Sequence, residues 1–115
     1  MNKEIKRGGI YWVDWNPGRG SEQSGLRPAL VIQNDVGNQF SPNTIVASLT
    51  SVFVKSYPFT VKVNARGSGL PKDSTIDLAM LMTIDKKRLG EKCGELTEAK
   101  MLEVNEAIKA SLGIE

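Results

Sequence analysis

The chain has 115 residues, enough for one compact domain with a real core and too few for two. It has no histidine, which removes the usual imidazole base and the common catalytic triads, and its one cysteine, Cys93, cannot form an internal disulfide. The net charge of +2 hides an asymmetry: residues 1–94 hold 13 Lys/Arg against 8 Asp/Glu, and residues 95–115 hold 2 against 5. A basic body with an acidic tail is a modest pointer to a polyanionic partner. No apolar run is long enough for a membrane span, and the start lacks a signal-peptide core. The expected location is the cytoplasm, with no membrane contact.

"GGIYWVDW" (8–15) is rich in β-branched and aromatic residues and reads as a strand. "NPGRGSEQSGL" (16–26) is punctuated by glycine and proline and reads as a loop. "RPALVIQN" (27–34) is a nearly continuous apolar run, as expected of a strand covered on both faces. "DVGNQFSPN" (35–43) reads as a second loop. In "TIVASLTS" (44–51), a strand would put Ile45, Ala47 and Leu49 on one face and Val46, Ser48 and Thr50 on the other. "FTVKV" (59–63) alternates as a strand, "NARGSGLPKD" (64–73) turns, and "STIDLAMLM" (74–82) reads as a strand.

"TIDKKRL" (83–89) is expected to form one helical turn, and "GEKCGEL" (90–96) a last short strand. "TEAKMLEVNEAIKASLG" (97–113) predicts an amphipathic helix. Thr97 can cap it, Glu98 suits its first turn, and Gly113 fits its stop. Met101, Val104, Ile108 and Leu112 recur at helical spacing. The class is therefore mainly β with a C-terminal helix, a closed or strongly curved antiparallel sheet in a single domain over 1–115.

Without histidine, chemistry must come from arginine, lysine, carboxylates, hydroxyls or backbone. Arg27 carries a planar fork of donors that fits a phosphate, and Pro28 stiffens the chain after it. The alternative is a strand-end arginine paired with a carboxylate. Thr50 and Ser48 share a strand face, and a hydroxyl there can bond a phosphate oxygen or simply suit a strand. "GRGSEQSG" is not a P-loop, since it lacks the Gly-Lys-Ser/Thr ending. Within it Ser21, Glu22 and Gln23 are candidates for substrate contact, Glu22 also as a base or an orienter of Arg27. Arg19 and Lys55 are candidate backbone contacts. Tyr57 and Phe59, like Trp12 and Trp15, can stack bases, although most aromatic residues in so small a chain are core.

"RGGIYWVDWNP", "GSEQSGLRPALVIQND", "GNQFSPNTIVASLTS", "SYPF" and "TIDKKRL" together resemble the MazF/PemK/Kid family of toxin endoribonucleases, over about residues 7–113. The resemblance implies the small SH3-like β-barrel with helices that this family shares with the gyrase poison CcdB. It implies a homodimer that cleaves single-stranded RNA, including mRNA, at short sequence elements without metal, cofactor or ribosome. Cleavage would arrest translation and growth. A small acidic antitoxin would bind the dimer, and DNA association would come through that antitoxin. By position, Arg27 is the family's catalytic arginine and Thr50 its catalytic threonine. One segment departs: Ala79, Met80 and Met82 stand where the family commonly has a carboxylate, a glutamine and an arginine. Asp77 is a candidate substitute for the lost carboxylate. The departure keeps two alternatives open: a toxin of the same fold that acts on a gyrase-type protein, or a module that binds RNA or antitoxin without cleavage.

Overall fold

The computed structural model describes residues 4–15, 25–52 and 55–115. Six strands form one antiparallel sheet: β1 (Gly9–Asp14), β2 (Leu26–Val31), β3 (Asn43–Thr50), β4 (Thr60–Val63), β5 (Ser74–Asp85) and β6 (Leu89–Glu95). Helix α1 (Asp35–Phe40) links β2 to β3, and α2 (Glu98–Leu112) ends the chain. The spatial order is β4-β5-β3-β2-β1-β6.

A 3-10 turn of Lys86–Arg88 joins β5 to β6, although β3, β2 and β1 lie between them in the sheet. So short a link across three strands forces the sheet to curl. Among the described residues no ladder joins β4 to β6, so the mainly β class with a C-terminal helix holds while the barrel is not closed by strand pairing. The β4–β5 turn meets β6 instead. A side chain on Gly94 would collide with the Ser68 carbonyl oxygen, and one on Gly69 with the Cys93 carbonyl oxygen. The Cys93 thiol donates to the Gly69 carbonyl at 3.3 Å, and its burial raises its pKa. Cys93 is a packing residue of this seam.

Each face of the sheet has its own core. One gathers Ile10, Leu30, Ala47, Leu49, Val61, Val63, Ile76 and Leu78 under Val104 and Ala107 of α2. The other gathers Tyr11, Val13, Trp15, Ala29, Val31, Val46, Ile84 and Leu89 on the opposite face. The β3 alternation is thus as expected: Ala47 and Leu49 face α2, and Val46 faces the other way. Burial of each large aliphatic side chain contributes about 1.5–3 kcal/mol. The Thr97 hydroxyl caps α2 by accepting from Lys100 N at 3.1 Å, and Gly113 ends it in the left-handed conformation at φ 72°. Leu112 does not join the buried face; it is exposed, and Ala107 packs in the core.

Two expectations need correction. Residues 35–40 are helical rather than loop, because a polar network holds them. The Asn34 side chain accepts from Gly37 N at 2.8 Å, and Asp35 accepts from Arg7 N at 2.7 Å. Buried Asn38 accepts from Thr44 Oγ1 at 2.7 Å and donates to the Gln33 carbonyl at 2.9 Å. In "TIDKKRL", Thr83–Asp85 continue β5, and only Lys86–Arg88 turn, with Asp85 capping Lys87 N at 2.8 Å.

Candidate active site

The site is built by strand register. β1 pairs with β2 so that Val13 faces Arg27. β2 pairs with β3 through Val31–Val46, Leu30–Ala47 and Ala29–Ser48. Carrying that register two residues further sets Arg27 opposite Thr50. Across β3 and β5, Thr50 faces Thr75, and across β5 and β4, Thr75 faces Lys62. Directly opposed residues share a face, so Arg27, Thr50, Thr75 and Lys62 form one row across four strands. The next row is Ala29, Ser48, Asp77 and Thr60.

These rows occupy the face that carries Val31, Val46 and Ile84 at its other end. There it is buried; here it turns polar. Arg27 and Thr50 are half-buried and Lys62 is exposed, while Ser48 and Thr75 lie beneath at 7% and 5% exposure. The Thr50 hydroxyl accepts from Val52 N at 3.2 Å. Lys62 Nζ leans across one strand to donate to Thr75 Oγ1 at 3.4 Å. Two cations therefore bracket two hydroxyls, an arrangement that suits phosphate oxygens and carries charge stabilisation without histidine.

Asp77 lies on the second row, half-buried, and its Oδ1 accepts from Ala79 N at 2.9 Å. That bond shapes a bulge. The β3–β5 ladder passes from Ala47–Leu81 directly to Ser48–Asp77, leaving Leu78, Ala79 and Met80 without partners on β3. Alternation would put Asp77 and Ala79 on one face; the bulge interrupts it, since Leu78 and Leu81, three apart, both pack on the α2-side core. Ala79 and Met80 are exposed at the bulge, and Met82, also exposed, faces Val46.

The segment before β4 borders the second row, because Phe59 O accepts from Leu78 N at 2.9 Å. Tyr57 and Phe59 stack with centroids 5.0 Å apart and planes 4° from parallel, and Lys55 Nζ lies 6.0 Å from the Tyr57 ring centroid. Tyr57 is 45% exposed, whereas Trp15 is core. Of the residues expected from sequence, Arg27, Thr50, Ser48 and Asp77 come together, with Lys55, Tyr57 and Phe59 at their border. Arg19, Ser21, Glu22 and Glu22's neighbour Gln23 lie outside the described residues. Thr75 and Lys62 were not expected; "KV" and "ST" read as ordinary strand and turn text, and only the cross-strand register singles them out.

A concavity of about 1010 Å³ lies at the opposite end of β3, beside Lys6, Asp35, Asn38, Lys86 and Lys87. Asp35, Asn38 and Lys86 there hold α1, and Lys6 pairs with Glu4. Arg7 N, bonding the Asp35 carboxylate, is the main cause of that group's lowered pKa. Among the described residues no three carboxylate, cysteine or histidine side chains gather at one point, and no helix is long and apolar enough to cross a membrane.

The curled sheet and terminal helix define a class already known from solved structures. The chain superimposes on an endoribonuclease in complex with its cognate antitoxin from Mycobacterial species with a TM-score of 0.83 at 24% identity, covering 96% of this chain and 97% of that one. MazF from Deinococcus radiodurans gives 0.80 at 26% identity, covering 98% and 100%. In sequence, residues 6–112 match the family of PemK-like, MazF-like toxins of type II toxin–antitoxin systems. The chain is 47% identical over 111 residues to "Endoribonuclease MazF" of Staphylococcus epidermidis, covering 96% of this chain and 92% of the relative. It is 46% identical to "Endoribonuclease EndoA" of Bacillus subtilis (strain 168), covering 96% of each. The chain belongs to the PemK/MazF toxin family.

Proposed function

We propose that this protein is the toxin of a type II toxin–antitoxin pair and a sequence-specific endoribonuclease that cleaves single-stranded RNA, mRNA included. The observation that carries the reading is the alignment of Arg27 with Thr50 on a polar row, in a chain whose relatives bear the name endoribonuclease. The 2′-hydroxyl attacks the adjacent phosphorus, forming a 2′-oxygen–phosphorus bond while the bond to the 5′-oxygen breaks. The products are a 2′,3′-cyclic phosphate and a 5′-hydroxyl. Such a reaction needs a positioned phosphate, charge stabilisation and two proton transfers.

Arg27 places its guanidinium on the phosphorane oxygens as charge grows there, and supplies the proton taken up by the departing 5′-oxygen. Thr50 holds a non-bridging oxygen, with Ser48 beneath it. The 2′-hydroxyl proton passes to a carboxylate, Glu22 or Asp77. DNA lacks the attacking hydroxyl and is not a substrate. The full 115 residues act as one domain, as a homodimer in the cytoplasm, held inactive by a small acidic antitoxin through which the pair also reaches DNA. The mechanism routes no step through a metal or cofactor.

The test is incubation of a long single-stranded RNA with wild-type protein and Arg27→Ala in excess chelator. Specific fragments from the wild type and loss of most cleavage in the variant support the reading. Intact RNA with folded wild-type protein contradicts it, and concurrent loss of gyrase supercoiling would transfer the activity to a protein target.

A further inference from the structure

The row that joins Arg27 to Thr50 does not stop there. Lys62 is its outer member, its ammonium drawn onto the hydroxyl of Thr75, which is the β5 neighbour of Thr50. Next to it, Thr60 fixes Tyr57 from both sides. The Thr60 hydroxyl accepts from Tyr57 N and donates to Tyr57 O, each at 3.0 Å. Tyr57 lies flat on Phe59 and remains half exposed. Thr60 and Lys62 are two residues apart on one face of β4, so the strand that carries the cation also anchors the aromatic plane. An unpaired nucleotide uses both, a base to stack and a phosphate to be neutralised.

We propose that Lys62 and Tyr57 form a subsite for the nucleotide flanking the scissile phosphate. The phosphate sits on Lys62 and the base on the Tyr57–Phe59 stack. The RNA strand then runs across the sheet, from β2 over β3 and β5 to β4, at right angles to the strands. This rests on the ribonuclease reading of the Arg27–Thr50 site and extends it to substrate hold. An acidic peptide would also meet Lys62, but it has no use for a flat aromatic platform, and RNA uses both.

The experiment measures binding of a single-stranded RNA oligonucleotide that spans a mapped cleavage position and carries 2′-deoxyribose at the attacking sugar. Affinity is read at several salt concentrations for wild type, Lys62→Gln, Tyr57→Ala and Tyr57→Phe. Lys62→Gln weakens binding and shrinks the slope of log affinity against log salt by about 0.7, the loss of one phosphate contact on a single strand. Tyr57→Ala weakens binding about 5- to 100-fold, and Tyr57→Phe stays close to wild type. On cleavable RNA the losses fall in KM rather than kcat.

An unchanged salt slope in Lys62→Gln, or unchanged affinity in Tyr57→Ala, overturns the subsite. Loss of acidic-peptide binding in Lys62→Gln with RNA binding intact also overturns it. Wild-type protein that leaves RNA whole contradicts the ribonuclease reading instead, a result independent of these affinities.

Discussion

The β2–β3 register, carried two residues past its last pair, Ala29–Ser48, sets Arg27 across from Thr50. The chain therefore sets a guanidinium and a hydroxyl on adjacent strands and one face, just past the end of that ladder. Removing the fork should abolish its charge stabilisation without disturbing either core. Arg27→Ala is expected to lower kcat about 10²- to 10³-fold. Arg27→Lys keeps the charge but not the planar fork, and should recover only a small part. Single-turnover cleavage with a thermal-unfolding control checks both.

Thr50→Val keeps the shape and β-branching and removes the hydroxyl. A hydrogen bond to a charged oxygen is worth about 1.5–3 kcal/mol, so cleavage should fall about 10- to 100-fold. Thr50→Ser restores the donor and should retain most activity. Equal rates for valine and threonine would remove Thr50 from the mechanism.

Asp77 shapes the β5 bulge by accepting from Ala79 N. Asp77→Asn keeps an oxygen in that position and should unfold with the wild type in a urea titration. Asp77→Ala removes the acceptor and should cost about 1 kcal/mol.

The Asp35 carboxyl titrates below its ordinary range, chiefly because Arg7 N donates to it. The unfolded chain then binds the proton at higher pH than the folded chain does. The stabilisation is present above the unfolded value of 3.8 and is lost as pH falls through the lower folded value. Asp35→Asn should flatten this part of the acid limb of stability against pH. An unaltered acid limb would show that the Arg7 bond contributes nothing to folding.

Gly94 packs against the turn that carries Ser68 and Gly69. Gly94→Ala forces a methyl group onto a carbonyl oxygen and should lower stability by about 1–3 kcal/mol. Calorimetric Tm is the direct readout, and the proposed site, built on β2 to β5, should keep its activity below the new Tm.

The strands and α2 were legible because their signals are local: Val61 and Val63 alternate with Lys62, and Met101, Val104 and Ile108 recur at helical spacing. Helix α1 was not, because its stability comes from Arg7, far away in sequence, and from polar side-chain bonds such as Thr44–Asn38 and polar caps rather than an apolar stripe. The same contrast holds at the site. Arg27 and Thr50 stood out through local text and family resemblance. Lys62 and Thr75 acquire meaning only when β4, β5 and β3 pair, and the bulge at Leu78–Met80 hides that register from any count along the chain.

The central claim is a histidine-free transesterification at the Arg27–Thr50 row. It is tested most directly by the end groups left on a long single-stranded RNA cut by wild-type protein in excess chelator. The account predicts cleavage at discrete positions, with 2′,3′-cyclic phosphate on one fragment and 5′-hydroxyl on the next. Intact RNA, or 5′-phosphate and 3′-hydroxyl ends, would contradict it.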